Sequence, residues 1–225
     1  MTGGFEKYAP GHILWLLGAV IGIALLCHVY GKSGSRGRKA LTLCLAGGSL
    51  SIQLLRSALL MGRGLYGLSQ LPLHLCSISV YLCFLYALHP KETLGQFLYA
   101  FSLPGWLLGL LFPGWGVYPL GDMLCILSFL VHILPAGFVI MKLCAGELRA
   151  DIKLLPRVCA LMLALAVPIY IMNISTGQNF MFLNYPPEGT PLSLFAFLGR
   201  PGYLLGVLPM AAVIWLMMYG CFGRG

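Results

Sequence analysis

The residues able to do chemistry in this 225-residue chain stand inside apolar runs. Leu71-Pro72-Leu73-His74-Leu75-Cys76 opens a run that continues to Leu88, placing an imidazole and a thiol in what must be a membrane segment. An ionisable side chain in hydrocarbon is costly and marks a functional site by default. A lone histidine can also serve structurally, by bonding a backbone carbonyl of a neighbouring helix. On a regular helix His74 and Cys76 point roughly 160° apart, so a working thiol would need its base from another helix.

Further polar groups recur at helical spacing. Ser49, Gln53 and Arg56 share one face, at i, i+4 and i+7. Arg56 either snorkels to the interface or offers its planar fork to a phosphate or carboxylate inside the bundle. Asp122, Cys125 and His132 fall within about 80° on a helical projection. Asp122 either pairs with Arg56 or caps the helix that follows Pro119-Leu120-Gly121. His12 and His28 lie near the ends of the first apolar run and read as structural. The stretch from Asn173 to Pro201 interleaves Asn173, Gln178, Asn179, Asn184, Tyr185 and Glu188 with Phe180, Met181, Phe182 and Leu183. That composition suits either a lid folded over the bundle mouth or an ordinary interfacial loop.

The elements that must position these groups are membrane helices. With 59% hydrophobic and 9% charged residues and a mean hydropathy of +0.89, the chain cannot be a soluble domain. Runs near the ~20 residues needed to cross a bilayer predict seven spans in an all-α bundle forming a single domain over 1–225. They are placed at about 11–30, 39–61, 69–89, 93–112, 119–143, 154–172 and 202–222. The fourth should kink at Pro104-Gly105-Trp106. Lys32, Arg36, Arg38, Lys39, Lys91, Lys142, Arg149, Lys153, Arg157 and Arg224 then fall on one side, against Lys7, Arg63 and Arg200 on the other. The positive-inside rule makes the first side cytoplasmic and the amino terminus external, with the first helix an uncleaved anchor. The net charge of +8 is thereby explained by topology, without nucleic acid.

Eight cysteines lie in or beside apolar runs, which is no disulfide framework. No CxxC, zinc-spaced His/Cys cluster or phosphate-binding glycine loop supports a metal or nucleotide cofactor.

The LPLHLC run at 71–76, the FSLPGWLLGLLFP run at 101–113, His132, and the N-x-x-x-G-x-N-F-x-F-L-N-x-P pattern from Asn173 to Pro186 together resemble the YwaF-like bacterial integral membrane family. That family is similar to a eukaryotic transmembrane acyltransferase that remodels ether phospholipids through a cysteine. The resemblance implies residence in a bacterial cytoplasmic membrane and acyl transfer between a phospholipid and a lysophospholipid, at a site open to the outer leaflet. Cys76 would be the nucleophile, unless the shared register falls on position 73, where this chain has leucine. His132 or His74 would act as base and then acid, Arg56 would hold the phosphate, and Gln53, Asp122, Asn173, Gln178 and Asn184 would line the substrate site. The same site admitting water would be a lipid hydrolase. A transporter or lipid-binding protein using these groups as a proton or anion pathway is the reading from another class, and a noncatalytic scaffold a third.

Overall fold

A computed structural model describes residues 3–222 and is helical, with no strand among the described residues. Its helices are α1 (Pro10–Lys32), α2 (Ser35–Gly62), α3 (Leu75–Leu88), α4 (Glu92–Phe97), α5 (Leu103–Leu111), α6 (Met123–Cys144), α7 (Leu155–Thr176) and α8 (Tyr203–Phe222). A π-helical turn, Leu98–Ser102, joins α4 to α5 into one apolar segment, Glu92–Leu111. Among the described residues, six segments are long and apolar enough to cross a membrane. The chain is an integral membrane helical bundle.

The helix α6 is its axis. Sixty-one per cent of its apolar window is buried, and 56% of that in Glu92–Leu111, against 11% in α1 and 17% in α7. Helices α1, α2 and α5 pack around α6, α3 lies against α2, and α4 meets α7. The outward surfaces of α1, α7 and α8 present Leu14, Val20, Leu163, Ile171, Leu205 and Leu216, as lipid-facing surfaces do.

The third span differs from the sequence expectation. It begins at Leu75 rather than near 69 and has 14 residues, a length of about 21 Å. Pro72 is the cause, because it has no amide hydrogen and pushes the residue before it out of the helical region. Leu71 accordingly sits at φ −56°, ψ 142°. His74 is still extended at φ −70°, ψ 147° and stands at the helix N-cap. The approach to the bundle is therefore a short 3-10 turn, Leu68–Gln70, followed by extended chain.

The fourth span is interrupted one turn earlier than its Pro-Gly pair suggests. Pro104 cannot donate to the carbonyl of Ala100, and the π turn occupies this place. Trp215 Nε1 in α8 donates to Ala100 O at 2.8 Å. Tyr99 Oη donates to Met218 O at 2.6 Å, so α8 is fastened to the interruption twice. Ser102 and Ser79, both fully buried, join the same region to α3 through a 2.7 Å hydroxyl bond.

The sixth predicted span also ends later than expected. Helix α7 runs on to Thr176 and stops at Gly177, whose φ of +71° is the left-handed stop that glycine permits. Asn173 is thus a fully buried helical residue and not the start of the loop.

Candidate functional site

His132 stands in the middle of α6, about nine residues and 13 Å along it. Its Nδ1 lies 2.8 Å from Ser128 O. A carbonyl can only accept, so the ring hydrogen is on Nδ1 and Nε2 carries the lone pair. That nitrogen has no partner among the described residues. It faces Gly109, where a Cβ would stand 2.8 Å from Nε2 and 2.7 Å from Cδ2, so the glycine makes room for the ring. Trp115 covers the other side at 4.6 Å between centroids.

Ser128 also serves Arg56. The guanidinium Nε donates to Ser128 Oγ at 3.1 Å, linking α2 to α6 beside the histidine. The Nη groups of Arg56 make no hydrogen bond, and no carboxylate pairs with it, among the described residues. The predicted inward face of α2 is present, with Ser49 at 0% and Gln53 at 3% exposure. The side-chain amide of Gln53 has no partner among the described residues.

His74 stands at the N-cap of α3. Its Nδ1 accepts the amide hydrogen of Met181 at 3.3 Å, which puts the ring hydrogen on Nε2. The two imidazoles therefore expose opposite characters, an acceptor on His132 and a donor on His74. The segment that binds His74 is the fold-back of residues 177–185. Phe180 and Phe182 place their rings 5.5 and 5.2 Å from the imidazole. Asn173 fixes the fold-back, accepting from Phe180 N and donating to Phe180 O, each at 2.9 Å. Asn179 accepts from Asn184 N, while Asn184 Nδ2 donates to Gln178 O at 2.8 Å. Asn173 is thus spent on the loop's own architecture, to which Asn184 gives one side-chain N–H. Met181 and Phe182 hold left-handed backbone angles, φ 56° and 54°, a local strain the clamp sustains.

Cys76 sits differently. Its Sγ packs toward Gly105, 3.9 Å from where a Cβ would be, among the apolar residues of the core. Its carbonyl accepts from Trp106 Nε1 at 3.2 Å. No hydrogen bond joins its thiol to His74 or His132 among the described residues. Cys125 is likewise packed, fully buried with Leu110 and Phe129.

Of the two readings open for Asp122, the structure has the cap. The carboxylate accepts from Leu124 N at 2.7 Å as the N-cap of α6. Its cationic partner is Arg63, at 2.8 and 3.0 Å, and not Arg56. These bonds, that of Arg63 foremost, hold the carboxyl below its ordinary range. His12 is structural as expected, but buried rather than solvated. Its Nδ1 accepts from Tyr8 N and its Nε2 donates to Leu110 O.

Arg56 and His132 therefore meet at Ser128, with Gln53 on the same inward face of α2, while His74 is held separately by the 177–185 segment. Ser128, Gly109 and Trp115 belong with them and were not singled out in the sequence, where a serine four residues before a histidine was the one signal. Among the described residues no three His, Cys, Asp or Glu side chains are grouped to hold a metal ion.

Comparison with curated proteins and with solved structures returned no match. A family assignment spans nearly the whole bundle, from Lys7 in the segment before α1 to Tyr219 near the end of α8, and on that match over residues 7–219 the chain belongs to the TMEM164 family.

Proposed function

We propose that this protein transfers a fatty acyl chain between glycerophospholipids inside the membrane. The observation that carries this reading is Arg56, a guanidinium with no carboxylate partner among the described residues, bonded to Ser128, whose carbonyl holds the His132 imidazole with its Nε2 lone pair free. A phospholipid offers an anion for the fork of Arg56 and an ester a few ångströms away for the histidines. The resemblance to YwaF-like proteins, and through them to a lipid acyltransferase, supports the same assignment.

In the covalent form of the reaction His132 Nε2 takes the Cys76 proton, and the thiolate attacks the ester carbonyl. The C–O bond breaks, and the leaving lysolipid oxygen receives the proton back from the imidazole. A second lysolipid hydroxyl, deprotonated in turn, displaces the thiol from the thioester. Gln53 and Gln178 are available for polar contacts to substrate. The amino terminus would be external, and His74, His132 and Arg56 would lie toward the outer leaflet.

One observation favours a second form. Because no hydrogen bond joins the Cys76 thiol to either imidazole among the described residues, His132 can instead deprotonate the acceptor directly. A lysolipid hydroxyl then gives transfer in one step, and water gives hydrolysis.

The test is purified protein in liposomes with an acyl-labelled diacyl phospholipid and an unlabelled lysophospholipid, with products read by mass spectrometry. Label on the acceptor, lost in His132→Ala, is expected. Its loss in Cys76→Ala selects the thioester route, its survival the direct one, and labelled free fatty acid makes the protein a hydrolase. An unchanged lipid profile with several acceptors would overturn the catalytic reading.

A further inference from the structure

A second polar centre lies at the opposite end of the bundle. Lys142 is ten residues beyond His132 on α6, about 15 Å away along the axis. Here the ends of α1, α2, α3 and α6 border an open cavity of about 500 Å³, lined by Tyr30, Ser35, Arg38, Lys39, Lys142 and Glu147 among others. Three cations thus face one carboxylate.

That carboxylate is already occupied. Glu147 accepts from Lys142 Nζ at 2.7 Å, from Tyr30 Oη at 2.7 Å and from Arg38 Nη1 at 3.2 Å. Burial would raise its pKa, but the bonds from Lys142, Tyr30 and Arg38 outweigh this and hold it below the ordinary range, so it is charged. The tyrosine ring centroid lies 5.3 Å from the Arg38 guanidinium carbon and 5.1 Å from Lys142 Nζ. Among the described residues the remaining donors have no anion. Lys39 makes no side-chain bond among the described residues, and Lys142 retains a third N–H.

The first turn of α2 borders the same space. Gly34 supplies no side-chain cap to this 28-residue helix, so the amides of Ser35, Arg36 and Gly37 are open. An ammonium on Lys39 with no partner among the described residues and the hydroxyl of Ser35, both lining the cavity beside the uncapped start of α2, are donors that phosphate oxygens take. The cavity opens where the apolar spans end, at the depth of lipid headgroups.

We infer that the cavity between the ends of α1, α2 and α6 binds a phosphate group, through Lys39, Lys142, Ser35 and the first turn of α2. Its volume admits a phosphate with a glycerol unit. It is separate from the histidine centre and does not rest on the reaction proposed there.

The test uses the full chain in a neutral detergent, following the thermal midpoint during titration. The probes are dioleoyl phosphatidic acid carried in the micelle, soluble glycerol 3-phosphate, and dioleoylglycerol as the lipid without phosphate. Binding to the native state raises the midpoint saturably. A saturable rise with phosphatidic acid alone identifies a lipid headgroup as the ligand, and one with glycerol 3-phosphate a soluble phosphate; either supports the site. Lys39→Glu should weaken the response at least about tenfold, as expected for losing a bond to a charged group. Lys153→Glu, at the same end but outside the cavity, should change it less than about threefold. Melting without ligand shows that both variants fold, since Lys39 holds no structural bond. No saturable shift with either phosphate probe, an equal shift with dioleoylglycerol, or equal losses in the two variants would overturn the inference.

Discussion

Asn173 holds Phe180 by both of its main-chain groups, with two 2.9 Å bonds that imitate the pairing of neighbouring strands. One asparagine at the end of α7 thereby fixes the segment lying on His74. Asn173→Ala leaves a buried N–H and C=O unpaired, a cost of about 1–3 kcal/mol for each. The expected result is faster hydrogen exchange and proteolysis confined to 177–185, with the rest of the bundle protected. Asn173→Asp keeps the acceptor and loses the donor, and should fall between wild type and alanine.

Gly109→Ala would set a methyl within 2.8 Å of His132 Nε2. The imidazole must then leave the Ser128 carbonyl or the methyl must displace α5. Activity should drop by an order of magnitude or more, about 1.4 kcal/mol per factor of ten in rate. Nitrogen NMR of labelled histidine would register loss of the Nδ1–H tautomer. A wild-type tautomer in this variant would separate the ring's position from the role of Gly109.

Replacement of Arg56 distinguishes charge from geometry. Arg56→Lys retains the charge but loses the planar fork and the Nε bond to Ser128, so the apparent KM for phospholipid should rise about tenfold or more. Arg56→Gln should be worse. Equal kinetics for lysine and arginine would mean that a point charge suffices.

Acid should weaken the tie between Arg63 and Asp122. Because the folded carboxyl titrates below its ordinary range, its contribution is fully present above the ordinary carboxylate pKa and disappears as pH falls through the depressed value. The pair is partly exposed, at 37% and 23%, which limits it to about 1 kcal/mol. The midpoint difference between wild type and Asp122→Asn should therefore be small and positive at pH 7 and vanish in acid. A difference that persists at pH 2 would assign the effect to the cap.

Much of the bundle was legible because the apolar runs are long and the breaks between them are polar. The inward face of α2 followed from the spacing of Ser49, Gln53 and Arg56. The end of α7 was missed because Asn173 resembles a stop, although Gly177 four residues later is the residue that terminates a helix. The partnership of Arg63 with Asp122 spans 59 positions and leaves no local pattern. The same holds for Arg56 and Ser128, 72 positions apart. The short α3 could be suspected from Pro72, but a proline inside an apolar run does not say on which side the helix will start.

The bond from Trp215 to Ala100 also orders events in time. The acceptor belongs to the fourth crossing and the donor to α8, 115 residues later. While the chain is being made, the carbonyl that Pro104 deprives of its usual donor enters the membrane before its indole exists. An open carbonyl in hydrocarbon is costly enough to need shelter. The nascent protein thus remains unfinished at its centre until α8 arrives, and truncation before Trp215 removes the fastening of an interior turn rather than a peripheral span.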